Sequence, residues 1–384
     1  MSTYELAIIG DPSEDDRNLV ISTITGMISD FGLKIGEDVI LLDGSNMETR
    51  DKGKSCAAIY FGATELRDLE AAKRLVDEGV PIIPTIGPTA DFGASIPDFL
   101  KFANGLKRRV DDATMTELAS AALECIGLLR QQRRAFVSYR RTESRSAALQ
   151  LHDLLSARGF EVFLDTHDIR PGEPFQDVLW HRLVDSDVMV MLDTPTYFNS
   201  KWTRQEIARA CAKEIQVIRV VWPEHFPSKY TSLAETVYLD QGMLQGADGP
   251  LKEDIASDIV LRVEKIRSKS IAARYMSITG KLKVEVARFG GEIEAIGAHR
   301  SIAVRLLSDK IVWAYPIVGI PTAEILNDVA KKARRADQQN TPVLLVLPSC
   351  LRLVARCLEW RILRRHFCGI VAPHGECVSP CMAV

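Results

Sequence analysis

The sequence predicts an α/β protein of three consecutive α/β modules, the central one built on a parallel sheet. Three observations predict it. Short runs such as "YELAIIG", "CAAIYFG" and "VMVMLD" are apolar on both faces, as strands are when helices cover a sheet on each side. Segments with helical spacing of apolar residues alternate with these runs. The chain has 384 residues, and at about 150 residues per domain two or three domains are expected.

The first module is read over residues 1–130. "YELAIIG", "DVILLDG", "CAAIYFG" and "VPIIPTIG" are its strands. "DRNLVISTITGMISDFG" has helical spacing and stops at a glycine, the residue that most readily ends a helix in a left-handed turn. "LRDLEAAKRLVDEG" is a helix between two strands, and "MTELASAALECIGLLRQQ" closes the module. The turn "GDPSEDDR" sits beyond the first strand, where open α/β sheets bind ligands, but it lacks a glycine fingerprint and its acids repel phosphate. It reads as a capped polar turn.

The second module, residues 133–225, repeats the pattern. "RAFVSY", "EVFLD", "VMVMLD" and "QVIRVVW" are strands. "SRSAALQLHDLLSARGF" is a helix with Leu149, Leu151, Leu154 and Leu155 near one face. "PFQDVLWHRLVDSD" is a second, with Pro174 near its first turn, where a missing N–H costs nothing. "NSKWTRQEIARA" is a third, with Asn199 or Ser200 as its cap. The order βαβαβαβ is flavodoxin-like.

The third module is read over residues 255–384. A long helical segment ends near "ARFG"; "EIEAIG", "SIAVRLL", "KIVWAYPIVG" and "PVLLVL" are strands; "TAEILNDVAKKARRA" is an amphipathic helix. The last residues, "CGIVAPHGECVSPCMAV", show no readable pattern.

Composition narrows the function classes. A net charge of -3 gives no global field toward nucleic acid or anionic membrane, and the basic runs "LKRRV" and "KKARR" lie in helix-like segments as solvated faces. No run approaches the roughly 20 apolar residues that span a bilayer. The first residues lack the basic start and apolar core of a secretory signal, so the cytoplasm is the expected compartment. Cys56, Cys125 and Cys211 are isolated in apolar or helical segments and read as small hydrophobes. Cys350, Cys357, Cys368, Cys377 and Cys381 crowd the end with His374, but their spacing lacks paired knuckles, so no metal is expected. His152 and His181 lie in helices without a paired ligand at metal spacing, and with His167 they read as structural or solvated.

Three motifs occur in order in the second module: "FVSYRR" (Phe136 to Arg141), "DIRPGEPF" (Asp168 to Phe175) and "SKWTRQE" (Ser200 to Glu206). With them the module resembles a TIR (Toll/interleukin-1 receptor) domain, specifically the bacterial TIR immune effectors that cleave NAD. The strand is similar to the family's F-I-S-Y-R-R, the loop has its Pro-Gly, and the helix carries W-x-x-x-E. The resemblance implies that Glu206 is the catalytic carboxylate and that Trp202, one turn earlier, walls the pocket. Ser138, Tyr139 and Arg141 are implied as substrate-binding residues at the end of the first strand, Arg141 on the pyrophosphate. Phe175 is implied as an aromatic stacking on a base or the nicotinamide ring, and Asp168 as a further binding residue. Glu173-Pro174 adds one residue to this loop relative to some family members.

The activity so implied is an NAD glycohydrolase with NAD as substrate and no cofactor. It releases nicotinamide and forms ADP-ribose or a cyclic isomer. The resemblance further implies immune or antiphage signalling, activation by TIR–TIR self-association, and a trigger received through the flanking modules. Two other readings stand beside it. One is a non-catalytic scaffold for homotypic contacts, which would tolerate loss of Glu206. The other makes a flanking module the main unit, binding a nucleotide signal, though no fingerprint names the ligand.

Overall fold

The alternation of apolar strands and amphipathic helices produces three sheets in the computed structural model, which describes residues 4–164, 175–227, 231, 234–335 and 343–346. The first sheet holds β1 (Tyr4–Gly10), β2 (Val39–Leu42), β3 (Ser55–Phe61), β4 (Ile82–Ile86) and the two-residue β5 (Leu106–Lys107). All its pairings are parallel, in the order β2-β1-β3-β4-β5. β1 and β3 are buried along their whole length, which is why both read as unbroken apolar runs. Helices α1 (Glu14–Ser29) and α4 (Thr116–Cys125) cover one face, and α2 (Leu69–Asp77) with the single-turn α3 (Phe92–Ser95) flanks the other. Ser13 caps α1, its Oγ accepting from the Asp16 N–H.

The second sheet has the same topology, the doubly wound order of flavodoxin-like folds. Its strands are β6 (Arg134–Ser138), β7 (Glu161–Leu164), β8 (Val188–Asp193), β9 (Gln216–Val221) and β10 (Glu235–Tyr238), in the order β10-β9-β8-β6-β7, all parallel. Strand alternation sends Ala135, Val137, Val188 and Val190 toward α5 (Arg145–Ser156) and sends Phe136, Met189 and Met191 toward α6 (Phe175–Asp185) and α7 (Lys201–Ala212). The fifth strand lies past residue 225, the expected end of this module. It is a half-buried edge strand, without the apolar run that marks a central one. Leu151 and Leu155 of α5 are buried, but Leu149 faces solvent. At two residues from Leu151 it lies on the opposite side of the helix.

The third sheet is mostly antiparallel. It contains β11 (Glu292–Ile296), β12 (Ile302–Arg305), β13 (Ile311–Pro316) and β14 (Val343–Val346), with only the β13–β14 pairing parallel. The helix before it, α8 (Glu253–Arg288), runs 36 residues, about 54 Å at 1.5 Å per residue. It does not belong to the third module alone. Its first half packs Ala256, Ile259, Val260 and Val263 against the second sheet. Its second half packs Ile271, Tyr275, Ile278 and Leu282 into one core with α1, α4 and strands β12 and β13. This dual burial explains why α8 has no single apolar stripe.

Between those halves lies a buried ionic joint. Arg267, fully buried, donates from Nε to Asp187 (3.0 Å), from Nη1 to Glu124 (2.6 Å) and from Nη2 to the Arg130 carbonyl (2.5 Å). Arg130 pairs with Asp187 at 2.7 Å, and Arg133 joins Glu124 to Glu264. Burial pushes the Asp187 carboxyl up, but the Arg130 and Arg267 guanidiniums outweigh it and hold the group below the usual carboxylate range. Glu264 goes the other way, because burial raises it more than Arg133 and Arg267 lower it. The β13–α9 turn, ahead of α9 (Ala323–Arg335), adds the Ile320 N–H donating to Asp185 at 3.0 Å.

Among the described residues, no helix is long and apolar enough to cross a membrane. The sequence-predicted Asp168 and its Pro-Gly loop lie outside the described residues, as do His167 and the C-terminal cysteines with His374.

Candidate active site at the carboxyl edge of the second sheet

Parallel strands present their carboxyl ends along one edge, and a doubly wound sheet binds ligands there. Along this edge β6 ends at Ser138 and β8 at Asp193. The chain leaving β8 makes a single turn at Tyr197–Asn199 and enters α7. Ser200 is the cap of α7: its Oγ accepts from the Trp202 N–H at 3.2 Å. Thr203 reinforces the entry, donating to the Tyr197 carbonyl at 2.6 Å. The buried face of the helix is then Thr203, Glu206, Ile207 and Ala210.

Glu206 therefore points into the protein, fully buried, on a face otherwise small or apolar. The Ser138 hydroxyl donates to its Oε2, and Ser138 Oγ also lies 2.5 Å from the Tyr197 hydroxyl. Ser138 and Tyr197 are themselves fully buried. A carboxylate taken out of water needs such donors. A buried carboxyl with an oriented hydroxyl beside it can stabilise positive charge developing on a bound sugar.

The other sequence-predicted residues are placed differently. Trp202 is half-buried and lines a neighbouring groove of about 410 Å³ with Trp180, Lys201, Gln205, Ala208 and Arg209. Glu206 is not among the lining residues. The Arg209 guanidinium lies 3.9 Å from the Trp180 ring centre, and the Lys201 ammonium 4.6 Å from that of Trp202. Tyr139 is buried on the opposite side of the sheet, in the core shared with α5 and α8, so its ring is not brought to Glu206. Arg141 is exposed just past the end of β6. Its neighbour Arg140 is the engaged one, donating from Nε to Thr196 at 3.2 Å. Phe175 begins α6.

Three residues here were missed from sequence. Tyr197 completes the hydroxyl pair. Asp193 is fully buried at the last position of β8, with its Oδ1 3.1 Å from Nε2 of His225, in the loop after β9. The signal for Asp193 was legible: an acid closing an apolar strand lies on the ligand edge. Nothing local marks His225, which meets Asp193 only through the pairing of β8 with β9. Among the described residues, no group of three or more His, Cys, Asp or Glu could hold a metal ion.

A parallel sheet in flavodoxin-like order, with the buried Glu206 carboxyl at its carboxyl edge, defines a doubly wound module with a candidate ligand site. Residues 135–250 match the family model described as TIR domain, so it is this stretch of the chain that carries a TIR domain. No curated protein matches the chain. Among solved structures, the chain is similar to the TIR domains of the activated Roq1 resistosome directly recognizing the pathogen effector XopQ, at 14% identity over 37% of this chain and 84% of that one, with a TM-score of 0.23. It is also similar to a sugar ABC transporter from Yersinia enterocolitica subsp. enterocolitica 8081, at 13% identity over 70% and 78% of the two chains, with a TM-score of 0.18. Scores this low add nothing to the assignment, which rests on the family match.

Proposed function

We propose that the TIR domain is an NAD glycohydrolase acting in immune or antiphage signalling. The observation that carries this reading is Glu206, a fully buried carboxyl at the ligand edge with the Ser138 hydroxyl donating to it. A carboxylate is costly to bury, and a solvated helix acid has no reason to be there.

The chemistry needs one acid. Nicotinamide in NAD is already a cationic leaving group, so no proton must be delivered to it. The bond from its ring nitrogen to ribose breaks, the electron pair leaves with nicotinamide, and the sugar becomes oxocarbenium-like. Glu206 stabilises that charge and accepts from ribose hydroxyls. Water then adds to the anomeric carbon and releases a proton, giving ADP-ribose; attack by an atom of the adenine moiety gives a cyclic isomer instead. Ser138 and Tyr197 orient the carboxyl. Arg141, exposed at the rim, meets the pyrophosphate. Phe175 and Trp202 contribute aromatic walls, and Asp168 is a further substrate-binding residue. No cofactor is required. Self-association through the TIR domain switches the activity on, as a consumer of NAD in the cytoplasm requires.

The test is nicotinamide release from NAD by the full chain, beside Glu206→Ala, over a range of protein concentrations. Release that the substitution abolishes supports the enzyme. Its absence at every concentration hands the domain to the scaffold reading, and its survival in Glu206→Ala overturns the catalytic role of Glu206.

A further inference from the structure

Hydrolysis leaves one proton to be taken up. Breaking the bond to nicotinamide needs no base, but water adding to the sugar must lose a proton. Glu206 is engaged with the sugar's charge, and the two groups beside it, Ser138 and Tyr197, are hydroxyls.

A second buried acid stands on the same edge of the sheet. Asp193 is fully buried, and its Oδ1 lies 3.1 Å from Nε2 of His225. Strand alternation fixes which way Asp193 points. Val188, Val190 and Leu192 of β8 face the core under α5 and α8, Met189 and Met191 face α6 and α7, and Asp193 follows the latter pair. That is the face on which Ser138 meets Glu206. Met191 is level with Ser138 in the β6–β8 pairing, so Asp193 stands on the adjacent strand, one pleat nearer the ligand edge. With strands about 4.8 Å apart and about 3.3 Å of rise per residue, its Cα is about 8 Å from that of Ser138.

The loop after β9 is built to deliver His225. Trp222 anchors its start: the backbone N–H donates to the Asp193 carbonyl and the indole N–H to the Ala247 carbonyl, each at 3.0 Å. Glu224 then has a φ of 57°, the left-handed region that residues with a Cβ disfavour. The strained turn directs His225 back to Asp193. The His225 side chain is 16% exposed, so the ring joins a buried acid to solvent. A carboxylate only accepts hydrogen bonds, so Nε2 carries the ring proton and Nδ1 keeps the lone pair.

We infer that His225 is the general base of the hydrolytic step, held in its working tautomer by Asp193; the inference rests on the NAD-cleaving reading of Glu206. After nicotinamide has left with the electron pair, water bonds to the anomeric carbon, its proton passes to Nδ1 of His225, and ADP-ribose forms. Asp193 stabilises the imidazolium, which returns the proton to solvent. Asp193 touches no reacting atom and is a positioning residue. The dyad therefore governs capture of the sugar by water, not the cleavage that precedes it.

The test is product partition by the full chain and its His225→Gln and Asp193→Asn variants, given NAD and 3-acetylpyridine. A pyridine attacks through its ring lone pair and has no proton to lose; water must lose one. The expected result is a ratio of exchanged dinucleotide to ADP-ribose at least tenfold higher in His225→Gln than in the natural chain. Damage to the fold lowers both products together, so an unmoved ratio overturns the base role and leaves NAD cleavage standing. No nicotinamide release from the natural chain overturns the NAD reading and this inference with it. Should His225→Gln not fold, the same ratio in Asp193→Asn decides. Should the natural chain make no exchanged dinucleotide, ADP-ribose formation by His225→Gly decides. Saturable recovery with added imidazole, but not with the similarly shaped and weakly basic pyrazole, supports the base; no recovery, or equal recovery with both, overturns it.

Discussion

Glu206 and Ser138 are 68 positions apart and become partners because β6 ends where the inner face of α7 passes. Three outcomes belong to this contact. Glu206→Ala lowers nicotinamide release at least about 100-fold, the scale of removing a group aimed at transition-state charge. Ser138→Ala removes one hydrogen bond to a charged group, worth about 1.5–3 kcal/mol. Release then falls about 10- to 100-fold, read as kcat at saturating NAD. Glu206→Ala also relieves the cost of a buried carboxylate, so its Tm is not lowered in step with its activity; equal losses in both would mark Glu206 as structural. The sequence showed the W-x-x-x-E pair but not which way it pointed. Four residues apart places Trp202 and Glu206 near one another, but helix spacing alone does not say which of them faces the core.

At the scale of elements, the helices were legible because their caps and apolar spacing are local. Ser200 illustrates this: of the two caps the sequence offers, Asn199 and Ser200, it is Ser200 that caps the helix, with its Oγ on the Trp202 N–H. Ser200→Ala should cost about 1 kcal/mol, measured by denaturant unfolding, with activity falling less than for Ser138→Ala. The central strands were legible as unbroken apolar runs. The edge strands β5 and β10 were not, since a two-residue strand and a half-buried one carry little pattern. Asp193 was visible as a residue and silent as a partner, because His225 reaches it only across neighbouring strands. The length of α8 was legible, but its packing on two sheets was hidden. Its buried positions wind round the helix as it passes from one sheet to the next, so no single face announces them.

Across the whole molecule, the ionic joint sets how stability responds to acid. Asp187 has its folded pKa held below the ordinary value. The stability it supplies is complete above the unfolded carboxylate range, about pH 4, and is lost as pH falls through the folded value. Glu264, raised by burial, contributes with the opposite sign and recovers some stability as it protonates. Asp187→Asn should therefore destabilise the chain at pH 7 by about 3–5 kcal/mol, the scale of breaking a buried pair. It should also flatten the acid limb of the unfolding free energy measured against pH. A limb unchanged in the variant would place the acid sensitivity elsewhere. At this scale too, control by self-association predicts that nicotinamide release per chain rises with protein concentration; a flat rate would mean that a single chain carries the complete site.

The long helix also decides how this protein can be cut. Ala256, Ile259, Val260 and Val263 close one face of the second sheet, while Ile271, Tyr275 and Leu282 of the same rod are rooted in the core on the far side. A fragment ending near residue 225 would leave that face of the sheet bare and gather into aggregates whatever its catalytic competence. One running from residue 133 through Arg267 would keep the cover but strip the guanidinium of Glu124. Neither end of α8 can be released without the other noticing, so a protease nick in its middle would be felt as one event in all three sheets.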